Sequence, residues 1–93
     1  MRIRQRYDHW IPRLLRVEAI VLYPYMLFSS KQGAVDARTL RHEWQHVHQI
    51  NFVGVWRFYL SYILFYIAFR VAGESDYIAY SRIPWEEEAR AAE

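Results

Sequence analysis

The chain contains no cysteine, and this absence removes several classes of site at once. Without a thiol there is no disulfide framework, iron–sulfur cluster, cysteine nucleophile or cysteine-based zinc finger. A metal site in this protein must therefore use nitrogen and oxygen ligands. The absence of cysteine does not indicate a reducing or an oxidising compartment, because proteins without cysteine occur both in the cytoplasm and outside it.

Long apolar runs are also missing, since a membrane span needs about 20 residues. The stretch Phe58–Phe69 has only twelve residues between Arg57 and Arg70. Another stretch, Val21–Ser30, contains Pro24 and is followed by no A-x-A-like cleavage site, so we expect no signal peptide. We expect no transmembrane span and favour a cytoplasmic location, with peripheral membrane contact through Phe58–Phe69 left open.

The length of 93 residues predicts a single domain over residues 1–93. A content of 54% hydrophobic and 18% aromatic residues is enough for a core and argues against disorder. The net charge of +2 is polarised, because residues 1–16 carry five arginines and residues 86–93 carry four glutamates. We interpret residues 1–15 as an irregular basic arm. Since no nucleic-acid recognition motif accompanies it, we expect no specific nucleic-acid binding.

The residue pattern along the chain predicts an α+β fold. Asp36 is the expected N-cap of the first long helix, and β-branched and aromatic residues before it indicate two strands. The next helix carries large apolar side chains nearly all round, so we expect an aromatic-rich core helix that is buried on more than one side. The predicted elements are strands over Arg16–Pro24 and Tyr25–Ser30 and helices over about 37–54, 55–71 and 84–93.

The segment His42-Glu43-Trp44-Gln45-His46 fits the pattern H-E-x-x-H on a predicted helix. Residues four apart share a helix face, so the imidazoles of His42 and His46 can bind one tetrahedral metal ion. Glu43 is rotated off that line and can instead take the proton of a metal-bound water, as a general base does. The pattern therefore predicts a zinc site with His42 and His46 as ligands and Glu43 as the catalytic residue.

A catalytic zinc ion needs a third protein ligand. The metzincin solution is excluded, because the residues three and six positions after His46 are not the required Gly and His. A glutamate from a later helix is the other common solution, and three consecutive glutamates lie on the last predicted helix. We favour Glu86, because Ala89 three residues later lets this helix lie close to the histidine helix. Glu88 is the second choice.

Together, HEWQHVHQ (42–49), the aromatic helix and YSRIPWEEEA (80–89) resemble the minigluzincins, a family of very small zinc metallopeptidase domains. The family pattern is HExxHxxQ followed by an I-P-aromatic-E-x-E-A segment. The resemblance implies one zinc ion per chain, held by His42, His46 and Glu86, with Glu43 as general base and acid. It also implies a small β-sheet packed on the active-site helix, and a C-terminal helix that supplies the glutamate.

One position departs from the wider gluzincin pattern. Many gluzincins place an Asp four residues after the ligand Glu, where it orients a ligating histidine, whereas this chain has Arg90. The orienting role then falls to another group, for which Asp36, Asp76, Glu88 and a backbone carbonyl are the candidates. Tyr80, just before the ligand segment, is a candidate donor to the oxyanion of a tetrahedral intermediate.

The leading hypothesis is a zinc-dependent peptidase that acts on peptide or protein substrates. An extended substrate would pair with an edge strand such as Val17–Tyr23. The alternative is a zinc-stabilised scaffold or regulatory module that hydrolyses little, suggested by the small size and by Arg90. A membrane-surface or partner-binding module is the third hypothesis, suggested by the apolar helix and the basic arm. The sequence does not reveal the oligomeric state.

Overall fold

The computed structural model describes residues 3–93, and within them the chain forms five α-helices and one three-stranded sheet. The predicted α+β class is confirmed. Met1 and Arg2, which both belong to the predicted basic arm, lie outside the described residues. The elements in chain order are β1 (Arg4–Arg6), α1 (Trp10–Leu14), β2 (Ala19–Leu22), β3 (Tyr25–Phe28), a 3₁₀ turn (Gln32–Ala34), α2 (Ala37–Val53), α3 (Val55–Val71), α4 (Asp76–Ser81) and α5 (Pro84–Ala91).

The sheet is built around β3, which lies between β1 and β2. β2 and β3 form an antiparallel hairpin connected by Tyr23 and Pro24, with Leu22 opposite Tyr25. β1 pairs with β3 in parallel, with Arg4 opposite Tyr25. Both predicted strands are present with shorter bounds, and β2 forms one edge of the sheet.

The prediction that residues 1–15 form an irregular arm is wrong for the part that the structure describes. Arg4–Arg6 extend the sheet as β1, and Trp10–Leu14 form α1. His9 caps α1, because its Nδ1 accepts the backbone N–H of Ile11 at 3.2 Å. A three-residue strand is too short to show alternation, and its pairing partner lies far along the chain, so the local pattern carries no signal for it.

α2 forms where the sequence predicts it. The Asp36 carboxylate accepts the N–H of Arg38 at 2.9 Å, which satisfies one of the unpaired donors of the first turn. Gly54 ends the helix with φ 93°, in the left-handed region that glycine adopts without strain. There the chain passes directly into α3, with the two helix axes bent by 114°.

The hydrophobic core lies between the sheet and α2. Met26 and Phe28 of β3 are completely buried, and Val47 and Ile50 of α2 are at most 3% exposed. His46 lies one residue before Val47, on the same buried part of α2. Packing of the sheet against α2 therefore fixes the position of the histidine segment.

α3 occupies the predicted range, but the expectation that it is buried on more than one side is wrong. Among its side chains only Phe58 is buried, and Trp56 on the outer face is 87% exposed. α3 contacts α2 and α4 along one face, and a chain of this size has too little other structure to cover the rest. Within residues 3–93 no single helix is long and apolar enough to cross a membrane, and α2 and α3 meet that criterion only as one bent pair.

α4 and α5 complete the structure around α2. The Ser75 hydroxyl caps α4 by accepting the N–H of Ile78 at 3.3 Å, and Pro84 occupies the first turn of α5, as predicted. α5 packs against α2, and Ala89 of α5 is completely buried. A small side chain therefore stands where the sequence argument placed one, a turn after Glu86.

Candidate metal centre

Three side chains from two helices converge where α2 meets α5. His42 and His46 lie one turn apart on α2, with ring centroids 5.0 Å apart. The carboxylate of Glu86 reaches both rings, with Oε1 2.9 Å from Nε2 of His42 and Oε2 2.7 Å from Nε2 of His46. One ligand atom from each residue lies within 4.8 Å of the others. The three residues that the sequence singled out as ligands are thus in one place, while the identity of a bound ion stays a prediction.

The donor set fits a zinc ion. Tetrahedral zinc has bonds of about 2.0–2.1 Å to imidazole nitrogen and carboxylate oxygen, which places neighbouring donors about 3.3 Å apart. The nitrogen–oxygen distances of 2.7 and 2.9 Å are shorter than this by about 0.5 Å, so small side-chain rotations open the space for an ion. Two nitrogens and one oxygen leave the fourth position for water or substrate, as in catalytic sites.

Each histidine ring is also held through its second nitrogen. Nδ1 of His42 lies 2.8 Å from Oε2 of Glu93, and Nδ1 of His46 lies 2.8 Å from Oε1 of Gln49. Because carboxylate and amide oxygens only accept hydrogen bonds, both Nδ1 atoms donate. Both Nε2 atoms are then left to face a metal ion, which is the arrangement that metal-ligating histidines use.

Gln49 is fixed in turn by α5. Its amide NH₂ donates to the backbone carbonyl of Trp85 at 3.0 Å and to Oε1 of Glu88 at 3.1 Å. Gln45 donates to the same Glu88 oxygen at 2.8 Å. These bonds direct the Gln49 carbonyl oxygen at His46 and join the two ligand-bearing helices.

Glu93 takes the orienting position that Arg90 leaves open in the sequence pattern. Its backbone carbonyl accepts the Nε–H of Arg41 at 2.6 Å, and its Oε1 lies 3.7 Å from the guanidinium of Arg38. Two arginines of α2 therefore hold Glu93 beside His42. Arg90 itself donates to a backbone carbonyl of α4.

The three carboxylates that the sequence offered for this orienting role bond other groups instead of the histidine rings. Asp36 caps α2, and Asp76 accepts the hydroxyl of a tyrosine on α3. Glu88 accepts a hydrogen bond from Gln49, and Gln49 in turn contacts His46. Glu93 lies beyond Ala91, where α5 ends, so no helical spacing in the sequence identifies it.

Glu43 lies next to the two histidines and is only 6% exposed. Burial raises the pKa of its carboxyl to about 7, although the nearby His46 and His42 oppose the shift. Glu43 lines the same cleft as His46 and Glu86. A carboxyl group with a pKa near neutrality is suited to accept and return a proton at physiological pH.

The cluster carries charge even without a metal ion. Burial alone would lower the pKa of His42, but the hydrogen bonds to Glu86 and Glu93 raise it to about 9. Burial opposes ionisation of Glu86, yet its hydrogen bonds to His42 and His46 hold the pKa of Glu86 far below its usual range. The surroundings thus stabilise positive charge at this position, and a divalent cation would replace the protons on the two rings.

Two tyrosines border the cluster. The hydroxyl of Tyr62 on α3 donates to Oε2 of Glu86 at 3.2 Å. The ring of Tyr80 on α4 lies edge-on to it, with centroids 6.4 Å apart, and both side chains line the cleft. Burial and the charge of Glu86 raise the pKa of both hydroxyls, so both stay protonated at neutral pH. The sequence singled out Tyr80 but had no means to separate Tyr62 from the other tyrosines.

A cleft of about 620 Å³ opens onto the cluster, within the size range of small-ligand sites. Residues between Leu15 and Leu22, including β2, line one part of it. Aromatic side chains of α3 and α4 line another part, namely Phe58, Tyr59, Tyr62, Tyr66, Tyr77 and Tyr80.

Comparison of the chain with protein-family models, with curated proteins and with solved structures found no match. The resemblance to the minigluzincins therefore depends on the quoted residues alone and stays a prediction. Of the residues that the sequence argument did not assign to the site, Gln49 is part of the HExxHxxQ pattern. Tyr62 and Glu93 became recognisable only through their contacts.

Proposed function

We propose that this chain is a zinc-dependent peptidase of the gluzincin type, with His42, His46 and Glu86 as zinc ligands and Glu43 as general base. The observation that carries the proposal is a buried glutamate beside a His, His, Glu donor set in a cleft. Structural zinc sites are normally closed by four protein ligands, whereas the group found within residues 3–93 has three. This difference favours catalysis over the scaffold alternative.

The residues around the donor set have distinct parts in the proposed reaction. A zinc ion held there would polarise the carbonyl of the scissile bond and make a water molecule more acidic. Glu43 accepts a proton in the cleft and passes it to the leaving amine. The hydroxyl of Tyr80, which keeps its proton at neutral pH, is available to donate to an oxyanion in the cleft, whereas the proton of the Tyr62 hydroxyl is already donated to Glu86.

Peptide or protein substrates fit this cleft because β2 is a sheet edge along it. The Tyr59 hydroxyl donates to the carbonyl of Val21 at 2.8 Å and accepts the N–H of Tyr23 at 2.9 Å, so it already occupies the end of this edge. The N–H of Val17 is also taken, because it donates to the carbonyl of Pro12 at 3.0 Å, so an extended substrate would pair with β2 around Ala19. The predicted pairing segment Val17–Tyr23 is shortened accordingly.

The proposal is tested by comparing the unchanged protein with Glu43→Gln, each loaded with zinc. Zinc content is measured by elemental analysis, and cleavage of a peptide library is read by mass spectrometry. We expect one zinc ion per chain in both proteins and cleavage only by the unchanged one. Glu87→Gln, which changes an exposed glutamate of α5, is the matched control and should cleave normally.

Two results would contradict the proposal. Zinc binding without any cleavage by the unchanged protein would favour the scaffold alternative. Absence of zinc binding at the His42, His46, Glu86 cluster would contradict both the peptidase proposal and the scaffold alternative.

A further inference from the structure

The outer face of α3 is a continuous apolar stripe. Its side chains recur at helical spacing and point away from the cleft, and their exposure ranges from 49% to 87%. Along the helix the stripe extends about 22 Å, at 1.5 Å per residue. Its area is on the order of 700 Å², more than the roughly 300–600 Å² of the largest patch on a typical monomer. The stripe consists of Trp56, Leu60, Ile63, Leu64, Ile67 and Val71.

The charged residues of α3 are all of one sign. α3 contains no aspartate or glutamate, and its two charged residues, Arg57 and Arg70, lie near its two ends and are exposed. A second copy of this helix packed against the stripe would bring arginine against arginine in either orientation, which costs binding energy. An anionic occupant would instead meet a cation at each end.

The exposed face has Trp56 at one end and an arginine near each end of the helix, and helices that lie in the membrane interface share these two features. The other face of α3 is also apolar, but the protein itself covers it. Aromatic rings such as that of Trp56 suit the headgroup level, and arginine side chains reach from there to anionic headgroups. The helix is too short to cross a bilayer by itself. Its length and its one-sided exposure suit a position in the plane of the lipid surface.

We propose that the outer face of α3 docks on an anionic lipid surface. Tyr59, Tyr62 and Tyr66 line the cleft from another face of the same helix, so the stripe and the cleft share no side chain. This inference is independent of zinc and of peptidase activity.

The test is flotation of the full chain with vesicles of phosphatidylcholine alone or of equimolar phosphatidylcholine and phosphatidylglycerol. We expect binding to the anionic vesicles, and at least tenfold weaker partitioning for Leu60→Glu, which places a charge in the middle of the stripe. Leu14→Glu is the matched control, because Leu14 on α1 is also highly exposed but lies outside the stripe. Arg57→Gln with Arg70→Gln should weaken binding about fivefold per arginine, and only to the anionic vesicles.

Three results would overturn the proposal. The first is absence of binding to anionic vesicles by the unchanged protein. The second is equal loss of binding in Leu60→Glu and Leu14→Glu, which would mean that the stripe is not the contact. The third is a dimer in lipid-free solution that Leu60→Glu dissociates, since a second copy would then cover the stripe. Circular dichroism of each variant confirms that its fold is intact.

Discussion

Removing the carboxylate of Glu93 should weaken zinc binding, because this group fixes the ring of His42. Its Oε2 lies 2.8 Å from Nδ1 of a ring that is only 15% exposed. Loss of a hydrogen bond to a charged partner costs about 1.5–3 kcal/mol. Loss of the group that orients a metal-ligating histidine typically costs 10–100-fold in metal affinity, or about 1.4–2.7 kcal/mol. The two estimates agree, so we expect Glu93→Ala to bind zinc about 10–100-fold more weakly.

The assay is competition for zinc against a chromogenic chelator at neutral pH. Glu93→Gln keeps an oxygen that accepts the Nδ1–H but loses the charge, so its affinity should lie between those of Glu93→Ala and the unchanged protein. Glu87→Ala removes an exposed glutamate of α5 and should leave affinity unchanged. The reasoning is refuted if Glu93→Ala binds zinc within about twofold of the unchanged protein while His46→Ala loses binding.

Three further predictions follow from the same contacts. Phe58→Ala should lower the free energy of unfolding in urea by about 3–5 kcal/mol, whereas Trp56→Ala on the exposed face should change it by less than about 0.5 kcal/mol. In metal-free protein the pKa of His42 is raised to about 9, so its ion pairs stabilise the fold below about pH 6.5, and this stabilisation is lost as the pH rises through about 9. The contribution of His42 to the free energy of unfolding in urea should differ by up to about 3 kcal/mol between about pH 6 and pH 9.5. His42→Ala should reduce the pH dependence without abolishing it, because the pKa of His46 is also raised. Glu86→Gln should abolish tight zinc binding in a dialysis assay and, without zinc, lower the pKa of both histidines measured by NMR.

The convergence of His42, His46 and Glu86 could be predicted from the sequence because the geometry behind it is local. Spacing of four residues places His42 and His46 on one face of any α-helix. The choice of Glu86 over its neighbours followed from the small Ala89 one turn later, and the structure places Glu86 at the two rings. Helix periodicity and close packing were sufficient for these assignments.

The orientation of α3 could not be predicted, because it depends on what the rest of the chain can cover. A helix that is apolar all round gives no periodic signal for its buried face. Phe58 faces the core only because α2 turns sharply at Gly54 and α4 folds back along the same side. The short strand β1 escaped prediction for a related reason, since its partner β3 lies in a distant part of the sequence.

The residues that hydrogen-bond the two histidine rings were the hardest to predict. Glu93 reaches His42 only because two arginines of α2 hold it there, and neither arginine belongs to the motif. Although Arg90 stands where many gluzincins have an Asp, His42 still has a partner for its second ring nitrogen, namely Glu93. Such contacts arise between segments that the sequence does not link, and they became visible only in the folded structure.

The central claim is that His42, His46 and Glu86 hold one zinc ion, and a crystal structure of zinc-loaded protein tests it most directly. Anomalous diffraction measured at the zinc absorption edge locates the ion without reference to the surrounding side chains. We predict a single peak about 2.0–2.1 Å from Nε2 of His42, Nε2 of His46 and a carboxylate oxygen of Glu86. No peak at this position, or a peak that Glu86 does not ligate, would contradict the account.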